Sequence, residues 1–265
     1  MSIFRKNKTK GCVNKIVVTE SSASEQSDGY NKLRDQLMVI NADGNTKVIQ
    51  IESSLDNECK TVVTCNLAVS LGYAGKKVAV VETDFRYPDV HTTFGTDGTD
   101  GIAEFVNGKI NAEQAVKSTA YPNVDVVVRG GEVPNPLTVF TSEKFKELIS
   151  FLREKYDYVL LDCAPVLLVS DYIHISKVAD GAVLLVAYAS TSKFAVADAV
   201  SEMKRNGVKI LGTAFTMYDK KKSFGYAYHY KYYGYGNYSA NDGKQCEGDC
   251  AAEQTASGDG RKEEN

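Results

Sequence analysis

The sequence has no apolar run able to cross a membrane. Its longest, Ala182–Ala189, falls far short of the ~20 residues a spanning helix needs, which excludes a multispan membrane protein. An excess of positive charge is also missing. The formal net charge is -3, against a dedicated nucleic-acid binder, so no nucleic-acid partner is expected. Met1–Gly11 is basic but no apolar segment follows it, so no secretory signal is read and the expected location is cytoplasmic. No Cys-x-x-Cys pair occurs among the six cysteines, so a zinc site is not expected and the thiols are read as reduced. What remains is ordinary: 43% apolar and 25% charged residues describe a globular chain, neither collagenous nor mostly disordered.

Composition changes along the chain. Residues 1–28 are rich in Lys, Ser, Thr and Asn and read as a flexible basic arm. Residues 29–217 read as one folded α/β domain, and residues 218–265 as a tail, tyrosine-rich at first and then acidic and disordered. Short β-branched runs at Lys47–Ile51, Lys77–Val81, Val124–Val128, Tyr158–Leu161, Ala182–Ala187 and Lys209–Phe215 predict strands buried on both faces. Helices are predicted over Tyr30–Val39, Thr61–Tyr73, Thr141–Glu154, Asp171–Ala179 and Ser192–Arg205, with Gly75 and Gly207 placed as left-handed caps. This alternation predicts a mainly parallel sheet with helices on both faces.

In such a sheet ligands bind beyond the carboxyl ends of the strands. After Ile51 comes Glu52-Ser53-Ser54-Leu55-Asp56-Asn57-Glu58-Cys59-Lys60-Thr61 and then a helix; after Val81 comes Glu82-Thr83-Asp84-Phe85-Arg86; after Leu161 comes Asp162-Cys163-Ala164-Pro165. Strand, tight loop, Lys-Thr and helix make the frame of a phosphate-binding loop. The N–H groups of Asn57, Glu58, Cys59, Lys60, Thr61 and Val62 are the candidate phosphate donors, at a helix end that favours anions. Lys60 can reach phosphate, and Thr61, Asp84 and Asp162 can give a hard oxygen shell for Mg²⁺. The two glycines of the usual G-x-x-x-x-G-K-[ST] pattern are replaced by Ser54 and Cys59. Taken singly, Asp162 also reads as a helix cap, Arg86 as a surface ion-pair partner and His91 as a packing residue.

Several motifs in register resemble the bacterial tyrosine kinases of capsule and exopolysaccharide synthesis. They are Ser53-Ser54-x-x-x-Glu58-x-Lys60-Thr61, Asn66-Leu67-Ala68, Gly75-Lys76-Lys77-Val78, Asp84-x-Arg86-x-Pro88-x-x-His91, Pro134-Asn135-Pro136 and Tyr156–Pro165 followed by Ser170-Asp171. The tail adds eight of the sixteen tyrosines between Tyr218 and Tyr238. The resemblance runs from about Tyr30 to Tyr238 and implies a P-loop ATP-dependent protein tyrosine autokinase with ATP and Mg²⁺ as cofactors. It maps catalytic roles to Lys60, Glu82, Asp84 and Arg86. It maps phosphate acceptance to Tyr226, Tyr228, Tyr230, Tyr232, Tyr233, Tyr235 and Tyr238. It also implies a membrane-embedded activator with a cytoplasmic docking segment, location at the inner face of the plasma membrane through that activator, a homo-oligomeric ring, and control of polysaccharide chain length.

The chain departs from that family at named positions. Asp56-Asn57-Glu58-Cys59-Lys60 stands where the family has Pro-Gly-Glu-Gly-Lys, Glu82 stands for an Asp, and Asp28-x-x-Asn31-x-x-Arg34 stands for Glu-x-x-Arg-x-x-Arg at the oligomer contact. A degenerate regulatory subunit of the polysaccharide export or polymerisation complex is therefore a second reading. A MinD/ParA-like ATPase is a third, set against by Leu55, where those proteins carry an extra Lys.

Overall fold

A computed structural model describes residues 15–20 and 25–218. Its seven-stranded sheet has the order β3-β4-β2-β5-β1-β6-β7. The strands are β1 (Val48–Ser53), β2 (Val78–Glu82), β3 (Lys117–Ser118), β4 (Val124–Val127), β5 (Tyr158–Asp162), β6 (Gly181–Ala187) and β7 (Ile210–Thr216). All neighbours are parallel except β3, which pairs antiparallel with β4 at the edge. The mainly parallel sheet expected from the alternation of runs is thus present, and β1, β2, β5 and β6 are buried along their whole length, as helices on both faces require.

One face is covered by α1 (Glu25–Ile40) and α2 (Lys60–Tyr73). There Leu37, Leu67 and Leu71 pack on Ile49, Ile51, Val80 and Leu160. The other face carries α7 (Glu143–Lys155), with Phe145, Leu148 and Leu152 on Val81, Val159 and Leu161. It also carries α9 (Lys193–Arg205), with Ala199 and Met203 near Ala182, Leu184 and Val186. Both helices start on a serine. Ser142 Oγ accepts from Phe145 N at 3.1 Å and Ser192 Oγ accepts from Ala195 N at 3.1 Å, each satisfying an otherwise unpaired first-turn donor. Gly75 and Gly207 have φ of 79° and 74°, the left-handed caps the sequence implied.

Three expectations are corrected. The run Asp171–Ala179 is helical only as α8 (Asp171–Ile175) and continues as turn. The helix expected from Thr141 starts at Glu143, because Thr141 closes a separate short helix, α6 (Pro136–Phe140). Part of the expected arm over residues 1–28 is docked. Val18 is buried in the α1–α2 core, Asn66 Oδ1 accepts from Val17 N at 2.7 Å and Val18 N at 3.3 Å, and α1 already begins at Glu25. Three further helices join the strands: α3 (Val90–Phe94), α4 (Ile102–Val106) and α5 (Ala112–Ala115). The tail from residue 219 onward lies outside the described residues. Among the described residues no helix is long and apolar enough to cross a membrane.

Candidate functional site

Strands β2, β5 and β1 are neighbours, and their carboxyl ends are level: Glu82 is paired with Asp162 and Asp162 with Ile51. The loops leaving these three ends therefore meet. The loop after β1 is tied internally by Ser53 Oγ donating to Leu55 O (2.6 Å) and Leu55 N donating to Glu58 Oε2 (2.9 Å). Thr191, after β6, donates to Glu58 Oε1. Glu58 thus braces the loop from both sides. The loop passes into α2 through two left-handed residues, Asn57 (φ 57°) and Cys59 (φ 65°). Cys59 is the N-cap of α2 and its side chain caps no N–H, so the helix's first N–H groups have no capping side chain to satisfy them. Cys59 is disulfide-bonded, which corrects the expectation of reduced thiols at this position; Cys65 and Cys163 are free and buried.

Asp162 is the centre of the site. Its Oδ2 accepts from Thr61 Oγ1 at 2.8 Å and its Oδ1 from Thr64 Oγ1 at 3.1 Å. Its carbonyl accepts from Thr83 N at 3.0 Å, Asp84 N at 2.8 Å and Thr83 Oγ1 at 2.8 Å. One residue thus joins the ends of β2 and β5 to the first turn of α2. Burial pushes the Asp162 carboxyl up to about 7, against the lowering effects of the Thr61 hydroxyl and the Lys60 ammonium. Burial also raises Asp84, whose Oδ1 accepts from Arg86 N (3.2 Å) and Tyr87 N (3.1 Å) and which likewise feels Lys60. Lys60 is buried beside both carboxylates.

The structure therefore brings Lys60, Thr61, Asp84 and Asp162 together. Val62 lies in the first turn of α2 beside them. Glu82 and Arg86 are engaged differently. Glu82 Oε1 accepts from Val90 N at 2.8 Å and contacts His91 Nδ1 at 3.1 Å, and Oε2 accepts from Arg129 N at 2.8 Å. Both its oxygens hold the segments after β2 and β4. Arg86 is paired with Asp171 at the start of α8. The candidate acceptors Tyr226 to Tyr238 lie outside the described residues.

A hydroxyl and two carboxylates at a helix N-terminus form a hard, oxygen-only donor set, which fits Mg²⁺ bound together with a polyphosphate. Among the described residues no group of three His, Cys, Asp or Glu side chains gathers to hold a metal alone, so phosphate and water would complete such a shell. Sequence reasoning gave no site role to Thr64 and Thr83, which hold Asp162, and named Asp171 in a motif without its pairing to Arg86. It also ended β1 before Glu52, which the structure keeps fully buried within the strand.

Known proteins bear on this geometry. The model of the AAA domain family matches residues 46–203. The tyrosine-protein kinase YwqD of Bacillus subtilis (strain 168) is 32% identical over 226 residues, covering 85% of this chain and 95% of the relative. The crystal structure of the chimerical protein CapA2B2 superposes with a TM-score of 0.71 at 28% identity, covering 76% of this chain and 88% of that one. The septum site-determining protein MinD of Pyrococcus horikoshii OT3, solved with Mg-ADP, superposes less fully, with a TM-score of 0.55 at 27% identity over 63% of this chain and 69% of that one. Fold and site together define a P-loop α/β domain of the nucleotide-binding class. Within that class, the chain belongs to the bacterial tyrosine-protein kinase family.

Proposed function

We propose that this chain is an ATP-dependent protein tyrosine autokinase that regulates capsular or exopolysaccharide synthesis. The observation that carries the proposal is the Thr61–Asp162 hydrogen bond of 2.8 Å at the N-terminus of α2, with Lys60 and Asp84 in the same cluster. Mg-ATP, when bound, supplies the transferable phosphoryl group and a neutralising cation. The first N–H groups of α2 and the Lys60 ammonium bind the phosphates. Thr61, Asp84 and Asp162 offer the oxygens that hold Mg²⁺. In this reading Asp84 also accepts the tyrosine hydroxyl proton, and Arg86, anchored on Asp171, follows it two residues on. Glu82 serves this site by fixing the segments around His91 and Arg129.

The acceptors in this reading are Tyr226, Tyr228, Tyr230, Tyr232, Tyr233, Tyr235 and Tyr238. Each phosphate adds about -1.5 to -2 charges, so a modified tail repels the acidic site and favours release. The partner is a membrane-embedded activator that brings the kinase to the inner face of the membrane, and neighbouring copies modify one another. Incubation with Mg-ATP and mapping of phosphotyrosine by mass spectrometry tests this, with Lys60→Met as the blank. Phosphate on the tail in the wild type alone is the expected result; phosphate on core tyrosines, or equally in the blank, refutes it.

A second reading, a regulatory subunit with weak nucleotide binding, is favoured by one feature. Cys59 puts a β-carbon and a disulfide into the loop where the backbone is left-handed at φ 65°. Nucleotide affinity without tail phosphorylation in the presence of the activator would select it.

A further inference from the structure

Of the six cysteines, Cys65 and Cys163 are free and buried, whereas Cys59, the N-cap of α2, is disulfide-bonded. Its partner is therefore Cys12, Cys246 or Cys250, all outside the described residues. The docked segment before α1 decides among them. Asn66, fully buried in α2, accepts at Oδ1 from Val17 N (2.7 Å) and Val18 N (3.3 Å). Its Nδ2 donates to Lys15 O at 3.0 Å and to Val62 O at 2.8 Å. Val62 lies one turn nearer the start of α2, so from Val18 back to Lys15 the chain runs toward Cys59. Ile16 and Cys59 border the same core cluster. Cys59 precedes Asn66 by about two turns, roughly 10 Å of helix. The few residues from Lys15 back to Cys12 reach about 10 Å when extended. Bridged cysteines stand roughly 4.4–6.8 Å apart at Cα, so Cys12 falls within bonding reach of Cys59. Cys246 and Cys250 follow Tyr218 by roughly 30 residues, and the entropy of closing so long a loop sets against them.

We infer that Cys12 and Cys59 form a reversible disulfide clasp that fastens the amino-terminal segment to the start of α2 and holds the phosphate loop in its anion-binding conformation. The second half of the inference rests on the nucleotide reading above. Cys59 sits at φ 65°, a region that a residue with a β-carbon keeps only when its surroundings hold it there. Its side chain caps no N–H of α2, so the backbone of the loop alone sets where those donors point. A covalent anchor at Cys59 offsets the strain at this passage, and in the bonded form Thr61 meets Asp162 across the site at 2.8 Å.

At the cytoplasmic face, where the reading above places the chain, disulfides are mostly transient and redox-sensing. Closure proceeds by exchange with a low-molecular-weight disulfide. One cysteine thiolate attacks a sulfur of that disulfide, forming a mixed disulfide and expelling the first small thiolate. The second cysteine thiolate attacks the protein-bound sulfur; the Cys12–Cys59 bond forms and the second small thiolate leaves. Two protein thiols give up two electrons, the small disulfide takes them, and the two thiol protons pass to the departing thiolates. A dithiol reverses the sequence.

The test compares the full chain treated with oxidised glutathione and with dithiothreitol. Mass-spectrometric peptide mapping of the oxidised chain should find Cys12 joined to Cys59. Cys59 joined to Cys246 or Cys250, or left unlinked, overturns the inference. Reduction should lower Tm by roughly 5–10 °C. It should also weaken Mg-ADP binding, measured by calorimetric titration, about tenfold. Cys12→Ser should match the reduced wild type in both measurements and ignore the dithiol. The double variant Cys246→Ser, Cys250→Ser should keep both responses. Equal Mg-ADP affinity of the oxidised and reduced wild type overturns the hold on the loop. No Mg-ADP binding in either form, with Tm still falling on reduction, overturns the nucleotide reading and the coupling while supporting the clasp. An unchanged Tm overturns the clasp itself.

Discussion

Replacing Cys59 by Gly and, separately, by Ala isolates the backbone strain of the phosphate loop. Both variants lose the sulfur and its disulfide; they differ only in the β-carbon at a residue held at φ 65°. A non-glycine residue in the left-handed region costs roughly 1–2 kcal/mol. Glycine returns about 0.4–1 kcal/mol of that through its freer unfolded chain. The net expectation is that Cys59→Gly is more stable than Cys59→Ala by about 1 kcal/mol, or about 2–4 °C in Tm for a domain of this size. Urea denaturation and thermal melts of the pair measure it directly, and Mg-ADP titration of the same two proteins asks whether relief of strain also reaches the ligand. Equal stability of the Gly and Ala variants would refute the reasoning, since the strand-to-helix passage would then not be held in that conformation.

Thr61→Ala removes a donor from the buried Asp162 carboxyl and is expected to cost about 1–3 kcal/mol in urea melts, together with Mg²⁺-dependent nucleotide binding. Asp162 is raised from 3.8 to about 7, so the folded state keeps a proton that the unfolded state releases above pH 4. Its contribution is full below pH 4 and is lost as pH rises to about 7. Denaturation curves of Asp162→Asn should lack that part of the slope. In Gly72→Ala the new β-carbon would lie 2.4 Å from Pro122 O and 2.8 Å from Val124 Cγ2. The variant should therefore lose about 1–3 kcal/mol despite alanine's better helix propensity, seen as a lowered Tm.

The sheet was legible because its strands are short β-branched runs separated by amphipathic stretches, and the loop before α2 because Lys60-Thr61 follows a strand directly. Residues 90–140 were harder. Helices of four or five residues such as Val90–Phe94 and Ala112–Ala115 are too short for a 3.6-residue pattern to emerge. Glu52 was taken for the start of a loop because a carboxylate inside a central strand violates the apolar rule; only the three-dimensional neighbours Gln50, Cys163 and Tyr172 show that it is interior. The orientation of Glu82 was equally hidden, since its partners Val90 and Arg129 come from segments eight and 47 residues away. Lys15–Val18 carried the β-branched residues of a packed segment, but the polar stretch around it masked the signal.

On the face of the sheet that carries α7 and α9, β1 bears a fully buried polar pair, Gln50 and Glu52. It divides the core on that face into two separate apolar clusters, one under α7 and one between α9 and the β6–β7 edge. With no continuous hydrophobic seam joining them on that side, cooperativity must pass through the β1–β6 ladder and the α1–α2 layer behind it. From this separation the α9–β7 flank is expected to open at a free energy below that of global unfolding. Its amides should exchange with solvent ahead of those in β1, β2 and β5.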